Sequence, residues 1–170
     1  MSQINVNTIA LADGTEQARL VQVQSANKAD SFATASTTMV DVTGFSVAIT
    51  PTNTANKILV MVQFQLGISL GGGYSVEGNL VRVISGGATS DIAMATGATN
   101  NHSVFAGNTA TYNAEAASII FLDAPNTTSA TTYKLQINAT SSGGTATFGR
   151  RGADTTYGSH STITAMEIRT

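Results

Sequence analysis

The stretch FGRRGADTTYGSH, ending at His160, puts two adjacent arginines, an aspartate, a tyrosine and a histidine into one short span of a chain that is only 11% charged. Arg150, Arg151, Asp154, Tyr157 and His160 can bind anions, pair across an interface, stack or move protons. Gly149, Gly152 and Gly158 permit tight turns between them. TATFG before the span and STITAMEI after it carry strand signals, so residues 149 to 160 read as a loop joining the last two strands. We expect this loop to serve subunit contact or surface binding, not catalysis. An arginine of this hairpin loop is expected to pair with Asp154 or with a neighbouring chain, and closed symmetric association, which brings one such loop from each subunit together, would let Arg150 or Arg151 meet Asp154 of a neighbour.

Other chemistry is poorly supported. His102, in NNHS, and His160, in GSHS, sit in polar serine-containing segments without a nucleophile elbow such as GxSxG. With two histidines and no cysteine, a zinc site would lean on carboxylates, and no HExxH spacing occurs. The ten acidic residues are dispersed, unlike a calcium loop. LGGGYSVEG is glycine-rich but lacks the pattern of a phosphate-binding loop and reads as a hairpin tip. Paired carboxylates for glycoside cleavage would show their spacing only in the fold. No catalytic residue, metal or cofactor is assigned, and the chain reads as a non-enzyme.

The elements that must position these residues are strands. Signals recur over residues 20–25, 30–34, 38–42, 45–50, 57–69, 79–85, 91–95, 117–124, 132–140, 145–150 and 161–168, separated by Gly, Asn, Ser and Thr turns. In KILVMVQFQLGIS, alternation puts Ile58, Val60, Val62, Phe64, Leu66 and Ile68 on one apolar face, predicting a central strand. Residues 97–116 are the least regular and read as a long surface loop with one short element. Pro51 and Pro125 follow strands, where a missing N–H is harmless. Short strands without βαβ spacing predict an all-β antiparallel sandwich or jelly roll over residues 20–170. Residues 1–19 read as an anchor or linker whose Ile4, Val6, Ile9 and Leu11 dock elsewhere.

Composition agrees. The chain has 170 residues, enough for one domain, with 42% hydrophobic residues, few aromatics and few helix formers on polar faces. A net charge of −2 offers no basic field for nucleic acid. No signal peptide is apparent, and the longest apolar run is too short and too interrupted for a bilayer span. Synthesis in a cytoplasm, without membrane insertion, is expected.

The run VQVQSANKADSFATASTTMVDVTGFSVAITPTNTANKILVMVQFQLG resembles a recurrent module of tailed-bacteriophage virion proteins, including those of marine and cyanobacterial phages. TATFGRRGADTTYGSHSTITAMEI resembles the close of such modules, and MSQINVNTIALADG is similar to short leaders of phage fibre proteins. The resemblance covers roughly residues 4 to 168. It implies a virion-surface jelly roll of C1q/TNF-like general architecture, a homotrimer on a tail fibre or as a capsid decoration. It also implies other virion proteins as partners through the N-terminal segment, and allows a host cell-surface glycan as a further one. Fibre proteins usually carry long repetitive shafts, whereas residues 1–19 alone precede this module, which favours a compact knob, head fibre or decoration. The alternative is a carbohydrate-binding or carbohydrate-active β-sandwich.

Overall fold

The computed structural model describes residues 19–70, 73–107 and 110–169. Ile4, Val6, Ile9 and Leu11 of the expected anchor therefore lie outside the described residues. Among the described residues eleven strands are present: β1 (Arg19–Lys28), β2 (Phe32–Thr34), β3 (Val40–Ile49), β4 (Lys57–Ile68), β5 (Ser75–Ile84), β6 (Thr89–Ile92), β7 (Val104–Gly107), β8 (Glu115–Asp123), β9 (Thr131–Ala139), β10 (Ala146–Phe148) and β11 (Ser161–Arg169).

The chain is all-β, and its strands form two antiparallel sheets. One contains β1, β11, β4, β10 and β2 with β8 on the other edge of β4; the other runs β3-β9-β5 with β6 and β7 sharing the far edge of β5. The pairing is nested: β1 with β11, β3 with β9, β4 with β8, and β5 with β7. That winding is a jelly roll, as alternation and turn chemistry predict.

Period-two alternation decides which residues meet between the sheets. From β4, Ile58, Val60, Val62, Phe64, Leu66 and Ile68 are all buried, as expected. Facing them are Phe45, Val47 and Ile49 of β3, Val76 and Leu80 of β5, and Tyr133, Leu135 and Ile137 of β9. Phe148 joins the layers, with its ring 4.8 Å from Phe45 and 5.8 Å from Phe64 between centroids.

Two buried carboxylates fasten the sandwich. Asp123 of β8 accepts hydrogen bonds from Arg82 of β5 at 2.7 Å and from the Tyr133 hydroxyl of β9 at 2.7 Å, tying one sheet to the other. Burial first, and then the Asp123 carboxylate, raise the Tyr133 phenol well above its ordinary range. Glu167 of β11 is fully buried. It accepts from the Asn56 amide at 2.6 Å, the Gln22 amide at 2.6 Å, and the Thr52 N–H and hydroxyl at 2.7 and 2.8 Å. Burial pushes this carboxyl up, but the donors outweigh it and hold Glu167 below its ordinary value.

Several strand boundaries differ from the sequence reading. The segments 38–42 and 45–50 form one bent strand, β3, whose register shifts between Asp41 and Ser46 around Gly44 at φ +77°. β5 starts at Ser75, inside the glycine-rich stretch read as a hairpin tip, because Ser75 and Val76 pair with β7. The short element within 97–116 is β7. β10 stops at Phe148, since the next residue turns away at positive φ.

Two substitutions test this packing. Val62→Asp places an unpaired charge in the core and should cost more than about 4 kcal/mol, leaving little or no cooperative melt. Glu167→Gln should cost about 1–3 kcal/mol at neutral pH, because an amide nitrogen replaces an acceptor facing fixed donors. A carboxyl held below 4.5 when folded contributes fully above that pH and loses its contribution as pH falls through the lowered value. Wild-type melting temperatures should therefore fall on acidification below about pH 4.5, and the variant's should fall less steeply.

Candidate functional site

The site grows out of one shared edge. β11 pairs with β4 from Lys57 to Gln63, and β10 pairs with the same edge from Leu66 to Ile68. β10 and β11 thus lie in line, and residues 149–160 are an excursion from what would otherwise be one strand. The Gly149 N–H still donates to Gln65 O at 2.9 Å, at the break. The neck of the excursion is closed by Ser159 N–H donating to Gly149 O at 2.8 Å and by a bridge between Arg150 and Gly158.

Gly152 presses on the end of β4, where a Cβ would run into the Ile68 carbonyl. Ala153 N–H donates to Thr111 O at 2.8 Å, which docks the excursion on the segment leading into β8. Arg150 serves the loop itself, its Nη1 donating to Arg151 O and Asp154 O at 2.9 Å each.

Arg151 is the centre of the site. Its Nε and Nη2 donate to the two carboxylate oxygens of Asp154 at 2.8 and 2.7 Å. Of the pairings expected for this loop, the one with Asp154 of the same chain is present. The two residues are three apart, and the turn at Gly152 brings both ends of the fork onto one carboxylate within the chain. The guanidinium also lies 4.5 Å from the ring centroid of Tyr157 and 5.1 Å from that of Tyr112. Both tyrosines remain about two-thirds exposed, at 66% and 67%, so the arginine props up two open aromatic faces. Arg151 holds the Asp154 carboxyl far below the usual carboxylate range, with the Thr156 N–H adding to the effect. Charge on Arg151 is spent within the loop.

His160 sits apart from this stack. It lines an open groove of about 330 Å³ with Ser159 and with Gln63, Gln65, Ala116 and Ser118 on the outer face of β4 and β8. Two lining residues of the groove, Ser159 and His160, follow Tyr157 in the chain by two and three positions. Tyr112 is a member that the sequence reading missed, because it comes from the other side of β8 and carries no local signal.

His102 belongs to the opposite sheet. Its ring nitrogens lie 3.0 Å from Asn79 Oδ1 and 3.2 Å from Glu77 Oε2, and the neighbouring Ser103 hydroxyl donates to Ile92 O. The two histidines therefore do not cooperate, and no group of three His, Asp or Glu converges for a metal among the described residues.

No protein-family model matches the chain, nor does any curated protein. Among solved structures, a likeness extends to the Gt strain of infectious bursal disease virus, at 17% identity and TM-score 0.47, covering 98% of this chain and 42% of that one. T=1 particles derived from the same virus give 16% identity and TM-score 0.46, covering 99% and 43%. The Gx strain gives 15% and 0.44, covering 99% and 44%. The chain spans less than half the length of these viral chains.

Gly152→Ala should force the excursion off β4 at a cost of about 1–3 kcal/mol, seen as a lowered melting temperature and faster proteolysis within residues 149–160. The Arg151–Asp154 pair should resist acid. A depressed carboxyl keeps its contribution until pH falls through its lowered folded value, so the ring resonances of Tyr112 and Tyr157 should hold their shifts down to about pH 4, where ordinary aspartates are titrating.

Proposed function

We propose that the chain is a non-enzymatic structural protein of a virion surface, working as a compact homotrimeric capsid decoration, head-fibre or short tail-fibre subunit. One observation carries this reading: the outer face of the β1-β11-β4-β8 sheet is apolar over half its length and is covered by nothing among the described residues. Val23, Met166, Leu59 and Leu122 form one row across the four strands, and Met61 and Ile120 continue into the next. Leu20, Val23, Ile120 and Leu122 are 56%, 46%, 67% and 49% exposed. Contiguous exposed apolar surface of this kind marks a contact with another molecule.

The remaining rows of the same face are polar, with Asn27, Thr162, Gln63 and Ser118 in register. Closed association of three copies buries the apolar half and leaves the polar half at the rim. The phage-module resemblance of the sequence supports the virion setting. Residues 1–18, which lead into the edge strand β1, are the segment we assign to attachment on the particle.

Light scattering should give three times the 17.4 kDa chain mass, and Ile120→Glu should give a folded monomer that still melts cooperatively, at a lower temperature. A monomeric wild type, or an unaltered assembly in the variant, would refute the interface. Gold-labelled antibody against the chain should decorate purified particles in negative stain, and bare particles would refute the virion assignment.

A further inference from the structure

We propose that the Tyr112–Arg151–Tyr157 platform and the groove beside it form a binding site for a neutral carbohydrate. Three observations on the structure converge on that ligand class.

The first is the pair of open tyrosine faces. A pyranose ring presents a patch of C–H groups on one side and hydroxyls around its rim, and exposed aromatic rings with a polar edge match that mixture. Both rings are held by one guanidinium, which is itself locked by two hydrogen bonds to Asp154 and only 18% exposed. The platform is therefore set before any ligand arrives, which spares the ordering cost of binding.

The second is the lining of the groove. Gln63, Gln65, Ser118, Ser159 and His160 bring amides, hydroxyls and an imidazole to one concavity. Amides both donate and accept, as sugar hydroxyls do.

The third is charge. Asp154 neutralises Arg151, and Arg150 is turned to backbone carbonyls within the loop. The platform presents no uncommitted cation to an acidic sugar or a phosphate, and this selects a neutral ligand. The inference rests on the virion-surface reading for the place where such a sugar would be met, a host envelope, but the binding itself needs only the folded chain.

The test uses the full-length protein, titrated by calorimetry and by tyrosine ring NMR with lactose, maltose, mannobiose and N,N′-diacetylchitobiose, and with 3′-sialyllactose as the acidic comparison. At least one neutral disaccharide should bind with a Kd of about 1 mM. Tyr112→Ala and Tyr157→Ala should each weaken it by about tenfold. Both rings are exposed, so these variants should melt like the wild type, and a third, Gln63→Ala, on an exposed groove residue, should also weaken binding.

Silence from every neutral sugar up to about ten times that Kd would overturn the proposal. So would binding that survives both tyrosine substitutions, or a response confined to 3′-sialyllactose. Tyrosine variants that change the assembled mass instead of the titration would make the platform a subunit contact and end the carbohydrate assignment. The virion reading stands or falls on the mass and on antibody labelling, so the two failures are distinguishable.

Discussion

One edge of β4 has to serve two strands, and much of the molecule follows from that constraint. The edge carries β11 along its first half and β10 along its last three residues. Both lie antiparallel to it, so the chain cannot pass from one to the other by an ordinary hairpin. It must leave the sheet after Phe148 and return at Ser161, and everything between is pushed out beside the groove. Phe148 is buried against Phe45 and Phe64, which anchors the point of departure in the core. Gly149 supplies the positive φ of 71° that the departure needs, and Gly152 allows the returning backbone to lie on Ile68. The position of Arg151 is thus a consequence of sheet pairing more than of its own contacts.

The buried carboxylates act at a different level. A sandwich held only by apolar layers can slide, because aliphatic contacts are non-directional. Asp123 fixes β8 over β5 and β9 through two directed bonds, and Glu167 fixes the β3–β4 connection against β1 and β11. Removing one partner from either cluster leaves the others desolvated, so each polices register while adding modest net stability. The outer face of the first sheet is then free to be divided, apolar at one end and polar at the other. A single sheet thereby presents two chemically distinct surfaces.

Much of this was legible in the sequence. The uninterrupted alternation from Ile58 to Ile68 identifies the central strand, because no helix places those residues on one face. The loop at 149–160 is visible from its three glycines between two strand signals. An arginine–Asp154 pair was legible too, but which arginine makes it, and whether within the chain or across to a neighbour, depends on the turn at Gly152. Tyr112 was hidden because its role comes from long-range packing through Thr111 and Ala153. β3 was read as two strands since Gly44 marks a break in pattern, while the ladder tolerates it as a bulge. β7 carries only four residues, too few for periodicity to rise above the polar segment around it.

The pairing of Arg19 with Arg169 has a mechanical meaning. The start of β1 and the end of β11 share one pole of the sandwich, and the 149–160 excursion leaves from the other end of β11. A pull between Arg19 and the excursion runs along the strands, in opposite directions on β1 and β11. Their ladder, from Leu20 to Lys28, is then loaded in shear, with its hydrogen bonds sharing the force at once. A pull between Arg19 and Arg169 would instead peel the same bonds open one after another. The topology makes the molecule stiff along one axis and weak along another, and the stiff axis joins the start of β1 to the tyrosine platform.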